Sequence, residues 1–503
     1  MTETKAFDND KYLAEQASFI LERADRNEKL YLEFGGKLLW DYHAARVLPG
    51  YDPNVKMRLL ARLKDRAEVV LCIHAGDIER KKLRGDFGIT YDADALRVVD
   101  ELAEWGVGVA GVVITRFDEQ PAAVQFRTRL ERFGVPVFTH RFTKGYPNDV
   151  DLIVSPEGYG ANAYVPTTKP IVVITGPGPG SGKLATALTL LYHDRMAGRP
   201  AAYSKFETFP VWNLPLKHPV NVAYEAATAE LGDFNCVDPF HLEAYGAVSI
   251  NYNRDVEVFP VLSRMLQRMG TGQIYKSPTD MGVNRIATGI VDDEACKEAA
   301  RQEVIRRRFR IAGEYALGIA DTATLNRVDA IMESLDASCL DRRVVTPARE
   351  AAMEAAAGRK GHDGIFCGAA IELKDGRIIT GKNSSLFHAA SAVVLNTSKL
   401  LAGIPDTIHL LPPVVTESIR TLKLHVLERK SESLNLDEAL VALAVSAAMN
   451  PAAQAAMEAL KQLKGCELHL SHFPGPGDEA GLRNLGLNAT SDATFAGKDI
   501  PIK

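Results

Sequence analysis

The stretch IVVITGPGPGSGKLATALTLLYHD, residues 171–194, decides the fold of this chain. A β-branched run enters a segment of four glycines and two prolines, reaches Lys183, and continues in residues that favour a helix. A glycine-rich turn between a strand and a helix brings backbone N–H groups and a helix N-terminus close to phosphate oxygens. The stretch therefore predicts a strand of a parallel sheet followed by an anion-binding turn.

The spacing of this turn differs at two positions from the common phosphate-loop pattern G-x4-G-K-[ST]. Pro177 occupies the first glycine position, and Leu184 replaces the hydroxyl residue that binds Mg²⁺. Gly176 gives the longer spacing G-x5-G-K. The alternative interpretation is a glycine-rich turn with a surface lysine. We expect phosphate to be bound by Gly176, Gly178, Gly180, Ser181, Gly182 and Lys183, with Lys183 also a candidate catalytic residue.

The longer spacing resembles the loops of dethiobiotin synthetase and CTP synthetase, enzymes that activate a substrate oxygen with ATP. The resemblance is confined to residues 171–194. It implies ATP or another nucleotide, with Mg²⁺, as the cofactor. Because Leu184 has no hydroxyl group, another residue would have to hold the metal, and Thr186 is the nearest candidate.

The rest of the N-terminal half alternates between strands and helices. Continuous apolar runs separated by helices indicate a parallel, Rossmann-like sheet that is covered by helices on both faces. Residues 30–53 are expected to form a loop, and residues 233–284 have an irregular pattern. The expected strands are residues 67–75, 107–117, 135–142, 150–155, 171–174 and 199–208, and the expected helices are residues 10–27, 54–66, 92–104 and 121–133.

A second polar motif, YKSPTDMGVN, covers residues 275–284 and is followed by Arg285. Its lysine, hydroxyl, carboxylate and amide groups suit an anionic or hydroxylated ligand, although a capped turn packed on the core would explain them equally well. We expect it to share one site with the phosphate loop, because open α/β sheets gather ligand groups at the carboxyl ends of their strands. Asp280 is the candidate catalytic residue, and the candidate substrate-binding residues are Lys276, Ser277, Thr279, Asn284, Arg285, Lys37 and His74.

Further polar residues follow other expected strands. Thr115 and Arg116 end one strand, and Lys205 and Glu207 end the strand that comes after the phosphate loop. These positions are typical of residues that face the ligand crevice of an α/β sheet.

Composition narrows the class of protein. The 503 residues include 59 basic and 64 acidic side chains, so nothing draws the whole molecule to nucleic acid or to an anionic membrane. The N-terminus lacks the apolar core of a signal peptide, and the six cysteines form no CxxC pair. We therefore expect a cytoplasmic protein with neither a zinc ribbon nor a disulfide framework.

Residues 368–403 resemble the opening of the cytidine deaminase fold, a hairpin followed by a helix that begins near a zinc-binding histidine. In that family the histidine or cysteine is followed by Ala-Glu, and a P-C-x-x-C motif supplies the other ligands. His388 keeps the histidine position, but Ala390 replaces the glutamate, and no cysteine follows Pro412. We therefore expect no zinc in this protein, and we interpret His388 as a residue at a helix start or an interface.

Three motifs together, LYLEFGGKLLWDYHAARVLPG, GPGPGSGKLAT and YKSPTDMGVN, resemble end to end a bacterial family of conserved proteins of unknown function. This resemblance implies a fold and a cytoplasmic setting but no activity. We expect three domains: residues 1–232, an α/β domain with the phosphate-loop-like turn; residues 233–360, an irregular and helical subdomain; and residues 361–503, a deaminase-like α/β/α domain.

Two functional hypotheses follow from these residues. The first is an enzyme that binds a nucleotide or a phosphorylated metabolite and catalyses phosphoryl transfer or ATP-dependent ligation. The alternative is a non-catalytic binding protein that a nucleotide regulates. Under both hypotheses the partner is a small phosphate-bearing molecule, not nucleic acid or a membrane, and we expect a homo-oligomer.

Overall fold

A computed structural model describes residues 5–84, 88–271, 275–362, 364–429 and 431–496. The chain forms two compact units, residues 2–303 and residues 304–503. The domain boundaries expected near residues 232 and 360 stay predictions. Within the described ranges, no α-helix has both the length and the apolar character that crossing a membrane requires.

The first unit is a mixed α/β structure. Its strands are β1 (Lys29–Phe34), β2 (Ala67–His74), β3 (Leu83–Arg84), β4 (Ile89–Thr90), β5 (Gly108–Thr115), β6 (Val137–His140), β7 (Ile171–Thr175), β8 (Ala201–Phe206), β9 (Asn235–Val237) and β10 (Ile250–Tyr252). Its helices are α1 (Asn9–Ala24), α2 (Tyr42–Val47), α3 (Val55–Leu63), α4 (Ala75–Glu79), α5 (Tyr91–Glu104), α6 (Pro121–Arg132), α7 (Val150–Ile153), α8 (Lys183–Met196), α9 (Pro219–Ala227), α10 (Pro239–Tyr245), α11 (Asn253–Arg268) and α12 (Pro278–Met281), and α13 (Asp293–Ala316) begins there.

Six strands form one parallel sheet in the order β6-β5-β2-β7-β1-β8. From β1 the chain moves through β2 and β5 towards one edge, whereas from β7 it moves to β8 at the other edge. Right-handed crossovers in opposite directions place their helices on opposite faces of a sheet. Helix α8 accordingly packs on β1, β7 and β8, and helix α5 packs on β2 and β5. The predicted parallel sheet with helices on both faces is confirmed.

The face of the sheet under α8 has a large apolar core. Val172 and Ile174 of β7 are fully buried there, and leucines of α8 and α11 pack over them. Tyr31 of β1 is buried in the same core, where its hydroxyl donates to the carboxylate of Asp194 at 2.6 Å. This hydrogen bond links strand β1 to α8.

Three expectations about individual elements were wrong. Residues 29–34 form strand β1, between β7 and β8, instead of a loop, and its Glu33 is buried with a hydrogen bond from Tyr203 at 2.7 Å. Residues 150–153 form helix α7 instead of a strand, since Asp149 accepts the amide N–H of Leu152 and caps the turn. Residues 408–411, which the sequence pattern IHLL predicts as a strand, lie outside any described strand, and two of their leucines pack into a cluster of helices.

The second unit contains a four-stranded sheet in the order β12-β11-β13-β14. The predicted hairpin is confirmed as β11 and β12, which pair antiparallel. The strands are β11 (Gly368–Glu372), β12 (Ile378–Lys382), β13 (Glu467–Leu470) and β14 (Asn488–Ser491), and the helices are α14 (Thr322–Ser334), α15 (Val345–Ala357), α16 (Ala389–Leu401), α17 (Pro413–Thr421), α18 (Leu436–Ala447), α19 (Pro451–Ala459) and α20 (Pro476–Asn484).

We predict that Tyr31→Phe lowers the free energy of unfolding by about 1–3 kcal/mol, because it leaves a buried carboxylate oxygen of Asp194 without its donor. Tyr245→Phe is the matched control, since Tyr245 is exposed and donates to the carboxylate of Asp280 near the surface. Chemical denaturation of both variants measures the difference. Equal stability losses would show that the Tyr31–Asp194 bond has no special importance for the sheet.

Candidate functional site

The carboxyl ends of the six parallel strands meet at one edge of the sheet, and the loop of residues 176–182 leaves this edge at its centre. β7 lies between β2 and β1, where the two directions of chain winding meet. Open α/β sheets bind ligands at such a switch point, because the loops on either side diverge and leave a crevice. The predicted phosphate loop therefore occupies the position in the sheet where a ligand is expected.

Three of the four glycines of this loop are closely packed. A Cβ atom at Gly176 would lie 2.5 Å from the carbonyl oxygen of Cys72, and a Cβ atom at Gly178 would lie 2.4 Å from the Tyr91 hydroxyl. Gly182 has φ of +89°, and a Cβ atom there would lie 2.7 Å from the Thr115 side chain. Any larger residue would push the loop away from the sheet.

The loop presents backbone donors that no described part of the chain accepts. Among the described residues, no acceptor pairs with the amide N–H groups of Gly178, Gly180, Gly182 and Lys183. Lys183 is the first residue of α8, so its amide also carries the positive end of the helix dipole. Successive free amides beside a left-handed residue form a concave group of donors that suits an anion.

The Lys183 side chain lies over the loop. Its Nζ donates to the carbonyl oxygen of Gly178 at 3.3 Å and is 3.5 Å from the Ser181 Oγ. Ser181 is fully buried, and its carbonyl oxygen accepts the Thr115 hydroxyl at 2.8 Å. The lysine charge is thus held next to the free amides.

Two further side chains with basic groups follow neighbouring strands. His74 ends β2, caps α4 by accepting the Asp77 amide N–H at 3.3 Å, and has its pKa lowered by burial. Arg116 follows β5, is exposed, and has φ of +48°, an unfavourable value for a residue with a side chain. Such backbone strain is often found at functional sites.

The loop that follows β1 is fixed by a buried lysine. Lys56 donates from Nζ to the carbonyl oxygen of Lys37 at 3.0 Å and pairs with Asp41 at 3.1 Å. Lys37 lines a small cavity together with Thr175, Gly176 and Pro177. The structure therefore brings Lys37 to the beginning of the phosphate loop.

A polar cluster lies at the carboxyl ends of β1 and β8 and includes a residue that the sequence did not indicate. Lys205 Nζ contacts both carboxylate oxygens of Asp255, at 2.6 and 2.5 Å, and lies 3.1 Å from Glu207. Glu33 follows Tyr31 by two residues, and Lys205 follows Tyr203 by two, so both point to the face under α8. We call Glu33, Lys205, Glu207 and Asp255 the β1–β8 polar cluster.

Glu207 occupies a tight position in this cluster. Burial, with the nearby carboxylates Asp255 and Glu33, raises the pKa of Glu207 to about 7, although Lys205 opposes the shift. Gly35 lies directly against the Glu207 side chain, since a Cβ atom there would be 2.3 Å from its Cγ. Gly35 thus makes room for this carboxyl group.

The motif of residues 275–284 lies beside β8. The amide N–H of Val283 donates to the Lys205 carbonyl oxygen at 2.9 Å, and Gly282 pairs with Lys205 in a parallel bridge. Tyr275 lies further back along the strand, where its hydroxyl is 3.2 Å from the Ser204 Oγ. The motif is therefore three strand spacings from β7, roughly 14 Å at about 4.8 Å per spacing.

Several side chains of this motif have partners within the protein. Ser277 caps α12 by accepting the Asp280 amide N–H, and Thr279 donates to Asp238 at 2.6 Å. Asn284 donates to the Thr208 carbonyl oxygen at 2.9 Å. These contacts explain the three residues as supports of a turn, and their expected contact with a substrate stays a prediction.

The charged residues of the motif are less enclosed. The Lys276 ammonium group lies 5.5 Å from the centre of the Tyr245 ring, whose hydroxyl donates to Asp280 at 2.8 Å. Asp280 also lies 3.9 Å from His241, and the Arg285 guanidinium lies 3.6 Å from the centre of the Phe19 ring. The catalytic role of Asp280 and a site shared with Lys183 stay predictions.

Comparison with known proteins identifies the family. The model "Domain of unknown function DUF1846, N-terminal" matches residues 5–336, and "Domain of unknown function DUF1846, C-terminal" matches residues 340–500. The chain belongs to the DUF1846 family. This confirms the resemblance inferred from the three sequence motifs.

Curated relatives of this DUF1846 chain match it almost end to end. A UPF0371 protein of Clostridium botulinum (strain Alaska E43 / Type E3) is 54% identical over 495 residues, which is 98% of each chain. A UPF0371 protein of Clostridium tetani (strain Massachusetts / E88) is 52% identical over 495 residues, again 98% of each chain. These names state no activity.

His388 of the DUF1846 chain, at the position where deaminases have a zinc-binding histidine, has another partner. His388 is the N-cap residue of α16, as the helix-start interpretation predicts, and its Nδ1 lies 2.7 Å from an Asp478 carboxylate oxygen. Within the described ranges, no three His, Cys, Asp or Glu side chains are arranged to hold a metal ion. The absence of zinc stays a prediction.

Metal analysis of protein purified without chelator should find well under one zinc per chain, because Ala390 and the segment after Pro412 offer no further ligands. Elemental analysis by mass spectrometry measures the ratio. A stoichiometric zinc that is lost in His388→Ala would contradict this interpretation of the second unit.

The Glu207 carboxyl group should also make stability depend on pH. Its folded pKa of about 7 lies above its ordinary value of 4.5, so its contribution is fully present below about pH 4.5 and is lost as the pH rises through about 7. Glu207→Gln should therefore reduce the fall in unfolding free energy between pH 5 and pH 8. Denaturant titrations at both pH values test this, with the exposed Glu157→Gln as the control. An identical fall in wild type and Glu207→Gln would contradict the assignment.

Proposed function

We propose that this protein binds the phosphate group of a nucleotide or phosphorylated metabolite at the loop of residues 176–183. The proposal rests on the amide N–H groups of Gly178, Gly180, Gly182 and Lys183, which have no acceptor in the described part of the chain. Backbone amides at a helix N-terminus form good phosphate sites, because they donate hydrogen bonds and carry the positive end of the helix dipole.

The position of Lys183 supports the same proposal. Its ammonium group lies 3.3 Å from the Gly178 carbonyl oxygen, so it can exchange this weak contact for a phosphate oxygen without moving far. Hydrogen bonds between charged groups are roughly twice as strong as those between neutral groups. Lys37 and Arg116 would add positive charge around the same crevice.

The β1–β8 polar cluster supports an enzyme that transfers a phosphoryl group or performs ATP-dependent ligation. β1 is the direct neighbour of β7, and the cluster faces the side of the sheet that α8 covers. Its lysine and three carboxylates would orient a second substrate next to a bound phosphate. A carboxyl group with a pKa near 7, such as Glu207, is suited to accept a proton from an attacking hydroxyl group.

The start of α8 does not fit a magnesium ion in the usual way. Leu184 has no oxygen ligand, and the Thr186 hydroxyl is fully buried in the core. Thr186 is therefore not the replacement metal ligand that the sequence suggested. The proposed phosphate binding depends on the amides and on Lys183, and ATP or another nucleotide with Mg²⁺ stays a prediction.

The same observation favours a second candidate, a binding protein regulated by a nucleotide without turnover. A loop that holds phosphate but supplies no metal ligand can recognise a nucleotide without activating it. An assay of ATP, CTP and GTP hydrolysis with and without Mg²⁺ separates the two candidates. Metal-dependent turnover that Glu207→Gln abolishes would support the enzyme, whereas tight binding without turnover would support the regulated protein.

The second unit supports a related proposal about its fold. Its hairpin leads into a helix with a histidine at the N-cap, which is the arrangement that the deaminase resemblance implies. We propose a deaminase-like unit whose metal chemistry has been lost, because alanines follow His388. The cytoplasmic setting, the homo-oligomer and the lack of nucleic-acid and membrane partners stay predictions.

A ligand screen tests the loop directly. ATP, CTP, glucose 6-phosphate and inorganic phosphate are the probes, and a probe at about 100 times its Kd should add about 2.7 kcal/mol of stability. Lys183→Ala should weaken binding of the best probe by about tenfold or more, because one hydrogen bond between charged groups is lost. Calorimetry measures the affinity. Lys11→Ala, which removes an exposed lysine of α1, should leave it unchanged, and equal affinity in Lys183→Ala would overturn the proposal.

A further inference from the structure

The N-terminus of α16 in the second unit is buried without a cap. Ala389, Ala390 and Ser391 form its first turn, and their relative exposures are 0%, 2% and 0%. In the described part of the chain, their amide N–H groups have no acceptor. A helix end in this state is rare, because buried donors are normally paired with a side chain, water or a ligand.

The side chains that could cap this helix point elsewhere. His388 at the N-cap directs Nδ1 towards Asp478 at 2.7 Å, and the Ser391 hydroxyl donates to the Leu434 carbonyl oxygen at 2.9 Å. Alanines 389 and 390 have no polar group. The three free amides therefore need an acceptor from outside the protein.

His472 provides an independent sign of a missing ligand. It is 8% exposed, and its Nδ1 has no hydrogen-bond partner among the described residues. It lies near both His388 and Asp478. Burial lowers the pKa of His472 to about 4, so its ring is neutral at pH 7 and one ring nitrogen carries a proton that it can donate.

The Asp478 carboxylate is itself fully engaged. Its Oδ1 accepts the amide N–H of Leu436 at the start of α18, and its Oδ2 is next to His388. Asp478 therefore orients the His388 ring and leaves Nε2 as the free ring atom. Since His388 is one-third exposed, this atom is accessible to a ligand that enters from solvent.

We infer that the N-terminus of α16, with His388 and His472, binds a small oxyanion, the carboxylate or phosphate group of a metabolite. The amides of Ala389, Ala390 and Ser391 donate to its oxygens, His388 donates from Nε2 when both of its ring nitrogens carry a proton, and His472 donates from the edge of the site. These groups do not suit a metal ion. The Asp478 carboxylate is already engaged by two donors, and the two histidines that remain are too few ligands. This site is separate from the phosphate loop of the first unit.

Calorimetry of the full chain with acetate and with inorganic phosphate tests the site. We expect at least one of these anions to bind, and His388→Gln and His472→Gln each to weaken its binding by about tenfold. His425→Gln, which changes an exposed histidine of the same unit, and Lys183→Ala should leave this binding event unchanged. Tighter binding of phosphate assigns a phosphate ester, and tighter binding of acetate assigns a carboxylate.

Thermal unfolding of each variant shows whether it is folded. If His388→Gln is not folded, His388→Asn replaces it, and if His472→Gln is not folded, His472→Asn replaces it. Two results would overturn the inference. One is the absence of binding of either anion up to tens of millimolar. The other is unchanged affinity in folded variants of both histidines. Loss of binding in Lys183→Ala alone would assign the anion to the phosphate loop and would also overturn it.

Discussion

The pairing of β7 between β2 and β1 fixes the loop that follows it, and the rest of the candidate site depends on this constraint. The loop is pressed against the Cys72 carbonyl oxygen, Tyr91 and Thr115, so only glycine fits at residues 176, 178 and 182. With no side chains at these positions, the loop presents backbone amides to the crevice. The same packing that excludes side chains therefore creates the donors that an anion requires.

Two chemically different surfaces meet at this edge of the sheet. The loop of residues 176–182 and Lys183 carry positive charge and N–H donors, whereas Glu33 of β1, Glu207 after β8 and Asp255 of α11 lie around Lys205. The proposed phosphorylated ligand and second substrate would use these two environments side by side. The strand order places the two surfaces side by side, since β1 is the direct neighbour of β7.

The sequence predicts the parts of the fold in which local pattern and tertiary structure agree. β7 and α8 combine a β-branched run, glycines and a long apolar helix, and the hairpin of β11 and β12 has an Asp-Gly turn. The sequence does not predict β1, because Lys29 and Glu33 interrupt its apolar pattern. Glu33 is buried with a hydrogen bond from Tyr203, which the sequence does not reveal. Helix α11 is obscured by Pro260 and by its polar first turn.

The candidate site is likewise predicted only where its residues are close together in the sequence. The glycines and Lys183 are contiguous, so spacing alone indicates them, whereas Asp255 joins Lys205 from fifty residues away. No sequence pattern in an irregular region signals that contact. The residues of YKSPTDMGVN show the opposite case: a polar motif suggests a ligand, yet Ser277, Thr279 and Asn284 bond to protein groups.

A crystal structure of the full chain grown with ATP would show directly whether the loop of residues 176–183 binds phosphate. We expect phosphate oxygens at ~3 Å from the amides of Gly180, Gly182 and Lys183, with the Lys183 ammonium group moved from the Gly178 carbonyl oxygen to the phosphate. A nucleotide bound elsewhere, with Lys183 still on Gly178 and no ligand against the loop amides, would contradict it.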